Sequence, residues 1–136
     1  MLKRQLKVRI WTYDKYDTEK SLYTPAVETR VPLQAACSKV QNGKLPVSQS
    51  GITLSRKGVD LTAFGPNPDG EGTILRVWEQ GGNSGKLEVT LPSGAKFNIA
   101  IPVNLRGEKT GEPIKISGGK LLFDLHAYAP VSLILK

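Results

Sequence analysis

From Lys86 to Leu91 the chain alternates polar and apolar residues without a break, with Lys86, Glu88 and Thr90 set against Leu87, Val89 and Leu91. Successive side chains of an extended strand point to opposite faces, so a period of two gathers the three apolar residues on one face of a half-buried strand. No helix of period 3.6 accommodates that pattern, and shorter versions of it recur along most of the chain. Residues 52–55 and 59–64 flank Arg56-Lys57-Gly58, a short link whose glycine tolerates a positive φ, and the two runs read as a hairpin. Residues 73–80 run into Gly81-Gly82-Asn83-Ser84-Gly85, which reads as the turn of a second hairpin returning through Leu91. Phe97, Ile99 and Ile101 alternate with Asn98, Ala100 and Pro102, the proline marking a strand end or a sheet edge. Residues 114–116, 121–125 and 131–135 complete the series, spaced by Ser117-Gly118-Gly119 and by a corner at His126-Ala127-Tyr128-Ala129-Pro130.

Short strands at regular spacing predict an all-β fold, an antiparallel β-sandwich of about seven to nine strands. The cluster Gly65-Pro66-Asn67-Pro68-Asp69-Gly70-Glu71-Gly72 is read as a break that excludes helix and regular strand. The N-terminal part is different in kind. Residues 6–13 read as a strand, and residues 14–30 as a long polar excursion containing Pro25. Such an excursion is uncommon inside a compact domain and suggests packing against something else. The only helix candidate is residues 33–40, short and flanked by Pro32 and Pro46. The expected organisation is therefore an N-terminal strand and joining segment over residues 1–35, followed by a sandwich core over residues 36–136.

A chain of 136 residues is of ordinary single-domain size. Its 19 Lys and Arg against 12 Asp and Glu give a net charge of +7, which raises an anionic partner. Lys3, Arg4, Lys7 and Arg9 form the only dense basic run, however, and later cations are interspersed with Glu79, Glu88, Glu108, Glu112 and Asp124. A solvated, mildly basic surface is the simpler reading, and no nucleic-acid partner is expected, because no recognised binding module accompanies the charge. No apolar run approaches the ~18 residues of a membrane span, so no membrane partner is expected. The single Cys37 excludes an intrachain disulfide and reads as a small buried thiol.

Residues able to carry chemistry are few. Trp11-Thr12-Tyr13-Asp14-Lys15-Tyr16-Asp17 pairs aromatic rings with carboxylates, the combination that stacks on a pyranose face and binds its hydroxyls. Trp11, Tyr13, Asp14 and, further on, Trp78 are the candidate sugar-contacting residues; the plainer reading is aromatics packed on a sheet. His126 is the only histidine, which rules out a two-histidine metal site, and no G-x-S-x-G nucleophile motif accompanies it. Arg76 and Glu79 fall on opposite faces of a regular strand, so Glu79 reads as solvated beside a structural Trp78. Gly81-Gly82-Asn83-Ser84-Gly85-Lys86 lacks phosphate-loop spacing and reads as a turn. No catalytic residue and no metal ligand is assigned.

Three stretches nevertheless have a familiar order. Gly58-Val59-Asp60-Leu61-Thr62-Ala63-Phe64 is followed by Asn67-Pro68-Asp69-Gly70-Glu71-Gly72 and then by Ile74-Leu75-Arg76-Val77-Trp78-Glu79, a strand, an acidic glycine-containing loop and a Leu-Arg-aromatic-Glu strand. This resembles the C-terminal β-domain of glycoside hydrolase family 38 α-mannosidases of bacterial type. The likeness continues in Val103-Asn104-Leu105-Arg106-Gly107-Glu108 and in the closing corner from Phe123 to Pro130, and extends over roughly residues 8–136. The resemblance implies a non-catalytic domain of a larger glycosidase, packing on upstream catalytic and linker domains of the same polypeptide. It implies a divalent metal and an aspartate nucleophile in the parent's catalytic domain, with no matching positions here and hence no cofactor in this chain. Carbohydrate is a further expected partner, through the exposed aromatics, and a homo-oligomer contact is the other.

Overall fold

The computed structural model describes residues 8–37, 43–44 and 46–136. The chain divides into two compact units, Met1–Gln41 and Asn42–Lys136.

The first unit departs from the sequence-based expectation. Val8 to Tyr13 form no strand, and Val8 and Ile10 stand 73% and 87% exposed. The expected polar excursion instead carries a π-helical turn, Thr18–Tyr23, which runs directly into the helix α1, Thr24–Arg30. Asp17 caps it: its carboxylate accepts from the backbone N–H of Lys20 at 2.9 Å, and its own N–H donates to Ser21 Oγ at 3.0 Å. Pro25 stands where the π-turn passes into α1, and the Ser21 carbonyl, four residues before it, accepts from the Trp11 indole N–H at 2.6 Å in place of the N–H that proline lacks. The short helix candidate over residues 33–40 is not helical through Cys37, residues 38–40 lying outside the described residues. Cys37 itself is exposed, not buried.

The second unit is the predicted all-β antiparallel sandwich. Its strands are β1 (Thr53–Leu54), β2 (Val59–Pro66), β3 (Thr73–Glu79), β4 (Gly85–Thr90), β5 (Ile99–Val103), β6 (Ile114–Lys115), β7 (Lys120–Leu125) and β8 (Pro130–Leu135). They form a three-stranded sheet of order β1-β4-β7 and a five-stranded sheet of order β2-β3-β8-β5-β6. The inner faces meet in a core of Leu75, Val77, Leu87, Val89, Leu121, Leu125, Leu133 and Leu135 among others, each of these all but fully buried. The alternation across residues 86–91 thus has the expected consequence. Leu87, Val89 and Leu91 enter the core, while Lys86 is exposed and Glu88 pairs with Lys120 at 2.8 Å on the outer face.

Both expected hairpins are corrected. β1 pairs with β4 and β2 with β3, so Arg56-Lys57-Gly58 does not join neighbours in one sheet but crosses from one sheet to the other. Likewise β3 pairs with β2 and β8 while β4 pairs with β1 and β7, so Gly81 to Ser84 is a second crossing. A short polar link rich in glycine satisfies either geometry, and the choice is made by which strand lies alongside. The one hairpin among these early strands is β2–β3, closed by the proline- and glycine-rich cluster, whose first two residues, Gly65 and Pro66, extend β2. Asn67 ties the loop by donating its backbone N–H to the Gly72 carbonyl at 2.9 Å. Pro102, next to last in β5, lies beyond the residues that pair with β6, so its missing N–H removes no ladder bond on that side.

Candidate functional site

Three segments connect the two sheets at one end of the sandwich: residues 55–58 between β1 and β2, residues 80–84 between β3 and β4, and residues 126–129 between β7 and β8. All three converge on Glu79, the last residue of β3. The alternation of β3 turns Leu75, Val77 and Glu79 inward, and Glu79 has no exposed surface. Its Oε1 accepts from the N–H groups of Gly81 and Asn83, both at 3.1 Å, and its Oε2 from those of Gly82 and Tyr128, both at 2.9 Å. Arg56 Nη1 lies 3.4 Å from Oε1. Backbone bonds close the hub further: Gln80 N–H donates to the Gly58 carbonyl at 2.7 Å and Glu79 N–H to the Ala129 carbonyl at 3.1 Å.

The expectation of a solvated Glu79 is therefore overturned. Burial by itself raises a carboxyl pKa, but hydrogen bonds from Tyr128, Asn83, Gly82 and Gly81 favour the anion and outweigh it, leaving Glu79 below its ordinary value. Successive N–H groups around a glycine in the left-handed region form a concave anion-binding nest, and Gly82 has φ 81. The Gly81–Ser84 turn does bind an anion, and the anion is the chain's own carboxylate. The signal available in the sequence was a glutamate ending an inward-facing apolar alternation, immediately before two glycines.

Tyr128 completes the corner with φ 58, a rare conformation for a residue with a side chain. Its hydroxyl end lies against Gly82, in the space a Cβ there would need. Trp78, on the opposite face of β3 from Glu79, donates its indole N–H to the Tyr128 carbonyl at 3.2 Å and remains 45% exposed. Arg76 shares that outer face, its Nε donating to Ser132 Oγ at 2.8 Å. Arg76 and Glu79 thus point to opposite faces of β3. His126 is an exposed corner residue whose carbonyl accepts from Ala129 N–H.

Of the candidate sugar-contacting residues, Trp11, Tyr13 and Asp14 belong to the first unit and Trp78 to the second. Trp11 is partly buried, its indole N–H held by the Ser21 carbonyl at 2.6 Å. Tyr13 is exposed and meets Tyr16 edge to face, ring centroids 5.9 Å apart and planes at 61°, an arrangement that offers no shared flat surface. Asp14 is exposed. The basic run is described only at Arg9, which donates to Thr29 Oγ1 at 3.3 Å; Lys3, Arg4 and Lys7 lie outside the described residues. No group of histidine, cysteine and carboxylate residues suited to a metal ion occurs among the described residues.

Fold and hub together define a class, an antiparallel β-sandwich in which three inter-sheet connections are pinned by one buried carboxylate. Comparison with protein-family models, curated proteins and solved structures found no match for this chain.

Proposed function

We propose that this chain is a non-catalytic β-sandwich module of an α-mannosidase-like glycoside hydrolase, packing on and supporting the catalytic module of the same polypeptide. The observation that carries this reading is the employment of Glu79. The segments that resemble the family-38 C-terminal domain are far apart in sequence, yet Gly58, the end of the Leu-Arg-Val-Trp-Glu strand and the closing corner at Tyr128 meet at this one carboxylate. Both of its oxygens are taken up by backbone donors, so a residue that in a glycosidase invites the role of acid or base is committed here to architecture. The Val103–Glu108 stretch is a turn held largely by its own Asn104. Asn104 Oδ1 accepts from the N–H groups of Arg106 and Glu108 at 2.9 and 3.0 Å.

The test is the mass of the native polypeptide carrying this sequence, by immunoblot of source cells, together with immunocapture and assay on an aryl α-mannoside. A band several times larger than 14.8 kDa that captures hydrolase activity is expected. A band at the size of this chain alone would overturn the proposal.

A second reading, carbohydrate binding, rests on Trp78, whose half-exposed indole is held in one orientation beside the fixed Arg76. Trp78→Ala would then abolish retardation of the protein in polysaccharide-containing native gels.

A further inference from the structure

In the first unit Tyr13 and Tyr16 meet at 61° with ring centroids 5.9 Å apart. Two ring faces set at that angle cannot share one flat ligand, but they make two walls of a corner. The corner belongs to a shallow cleft of about 280 Å³, whose lining adds Arg9, Ile10, Trp11 and Leu22. Trp11 is not free to turn, since the Ser21 carbonyl holds its indole N–H at 2.6 Å, so that wall stands before any ligand arrives.

The lining discriminates by charge and by hydrogen-bonding capacity. An aromatic face carries the negative part of the ring quadrupole and attracts a cation, a quaternary ammonium in particular. No carboxylate is among the described residues of the lining. The Ser21 hydroxyl is already used, accepting from Asp17 N–H at 3.0 Å and donating to the Lys15 carbonyl at 3.2 Å. An ammonium with N–H donors would therefore give up water for too few acceptors, whereas an N-methylated one has no donor to lose, and Ile10 and Leu22 suit its methyl groups. Arg9 stands in the same lining. Its Nη1 donates to Thr29 Oγ1 at 3.3 Å, a hydroxyl anchored in turn on the Pro25 carbonyl at 2.7 Å. No acceptor for its other nitrogens occurs among the described residues, and a guanidinium so tethered presents donors suited to phosphate or carboxylate oxygens.

We propose that this cleft binds a small zwitterion of the phosphocholine type, its trimethylammonium in the corner of Tyr13 and Tyr16 beside Trp11 and its phosphate on Arg9. Arg9 opposes a bare cation and the ring faces oppose a bare anion, so the lining selects both charges in one molecule. The size of the cleft limits the occupant. About 280 Å³ falls just below the ~300–1,000 Å³ of pockets for drug-sized ligands, which is room for a head group and not for a longer chain. This inference uses the first unit alone and stands independently of the role proposed for the sandwich.

The test is an NMR titration of the full chain, read at the Trp11 indole N–H, with phosphocholine and with analogues that each lack one part: choline, inorganic phosphate and phosphoethanolamine. Phosphocholine is expected to bind at least about tenfold more tightly than any of them. Tyr16→Leu should weaken phosphocholine and choline alike, by about tenfold. Should that variant not fold, Arg9→Gln leaves the rings in place and should bring phosphocholine down to the level of choline while choline itself binds no worse. Vesicles identify the source of the ligand: cosedimentation with phosphatidylcholine but not phosphatidylglycerol marks a lipid head group, and binding of soluble phosphocholine without cosedimentation marks the free ester. Absence of a saturable shift at Trp11, equal binding of phosphoethanolamine, phosphocholine binding indifferent to Arg9→Gln, or a response centred on Trp78 would each overturn the proposal.

Discussion

Glu79 Oε2 accepts a 2.9 Å hydrogen bond from the backbone N–H of Tyr128, 49 residues later in the chain. That bond joins the end of β3 to the corner before β8, its neighbour in the sheet, and the same carboxylate holds the link to β4. Removal of one side chain therefore loosens three inter-sheet connections together.

Replacement of Glu79 by Ala leaves four backbone N–H groups, that of Gly81 buried and the others partly so, and Arg56 without their acceptor. Stripping one partner from a buried charged network costs about 3–5 kcal/mol, and urea unfolding monitored by the two tryptophans should show a loss of that order. Glu79→Gln keeps one acceptor oxygen and should lose less.

Acid should act through the same group. The native Glu79 carboxyl titrates below the 4.5 of an unperturbed one, so the unfolded chain takes up this proton first as pH falls. Its contribution is then complete above about pH 4.5, shrinks on acidification through the depressed native value, and is gone below it. Stability of the wild-type chain should fall in that window more steeply than that of Glu79→Gln; parallel profiles would refute this assignment.

Two glycines separate backbone strain from steric exclusion. Gly72 and Gly94 have φ 97 and 85, but a Cβ on Gly72 would lie 2.8 Å from both Ile134 Cγ2 and the Leu135 carbonyl oxygen, whereas one on Gly94 meets nothing within 4 Å. Gly94→Ala should cost about 1 kcal/mol, the conformational part alone. Gly72→Ala should cost clearly more, because the obstructing carbonyl belongs to β8 and cannot move freely; thermal denaturation of the two variants measures the difference.

The Lys120–Glu88 pair, at 2.8 Å, is short but has both side chains about half exposed. Exposed ion pairs contribute about 0.2–1 kcal/mol. Lys120→Ala should therefore change the urea midpoint only slightly, and that small change should vanish in high salt.

The strands were legible where one face is buried. Residues 86–91 and 121–125 alternate because their two sides meet different solvents, and the pattern survives as long as the strand does. The hub was less legible. Glu79 stands at an inward position by the same alternation, but a carboxylate at that position reads as solvated unless its donors are known, and Tyr128 reaches it only through the fold. The helix over Thr24–Arg30 was hidden because Pro25 signals a break, and what compensates for its missing N–H, the Trp11 indole on the Ser21 carbonyl, comes from fourteen residues earlier in the chain.

By itself the sequence determined the class of fold, because period-two alternation and regular turn chemistry leave an antiparallel sandwich as the way to bury these apolar faces. It did not determine pairing. Whether Arg56-Lys57-Gly58 and Gly81 to Gly85 bend within a sheet or cross between sheets is decided by contacts with strands tens of residues away, and a short glycine link is compatible with both. The tertiary structure alone made Glu79 the acceptor for three connections, since that depends on which backbone groups the completed sheets bring to its carboxylate.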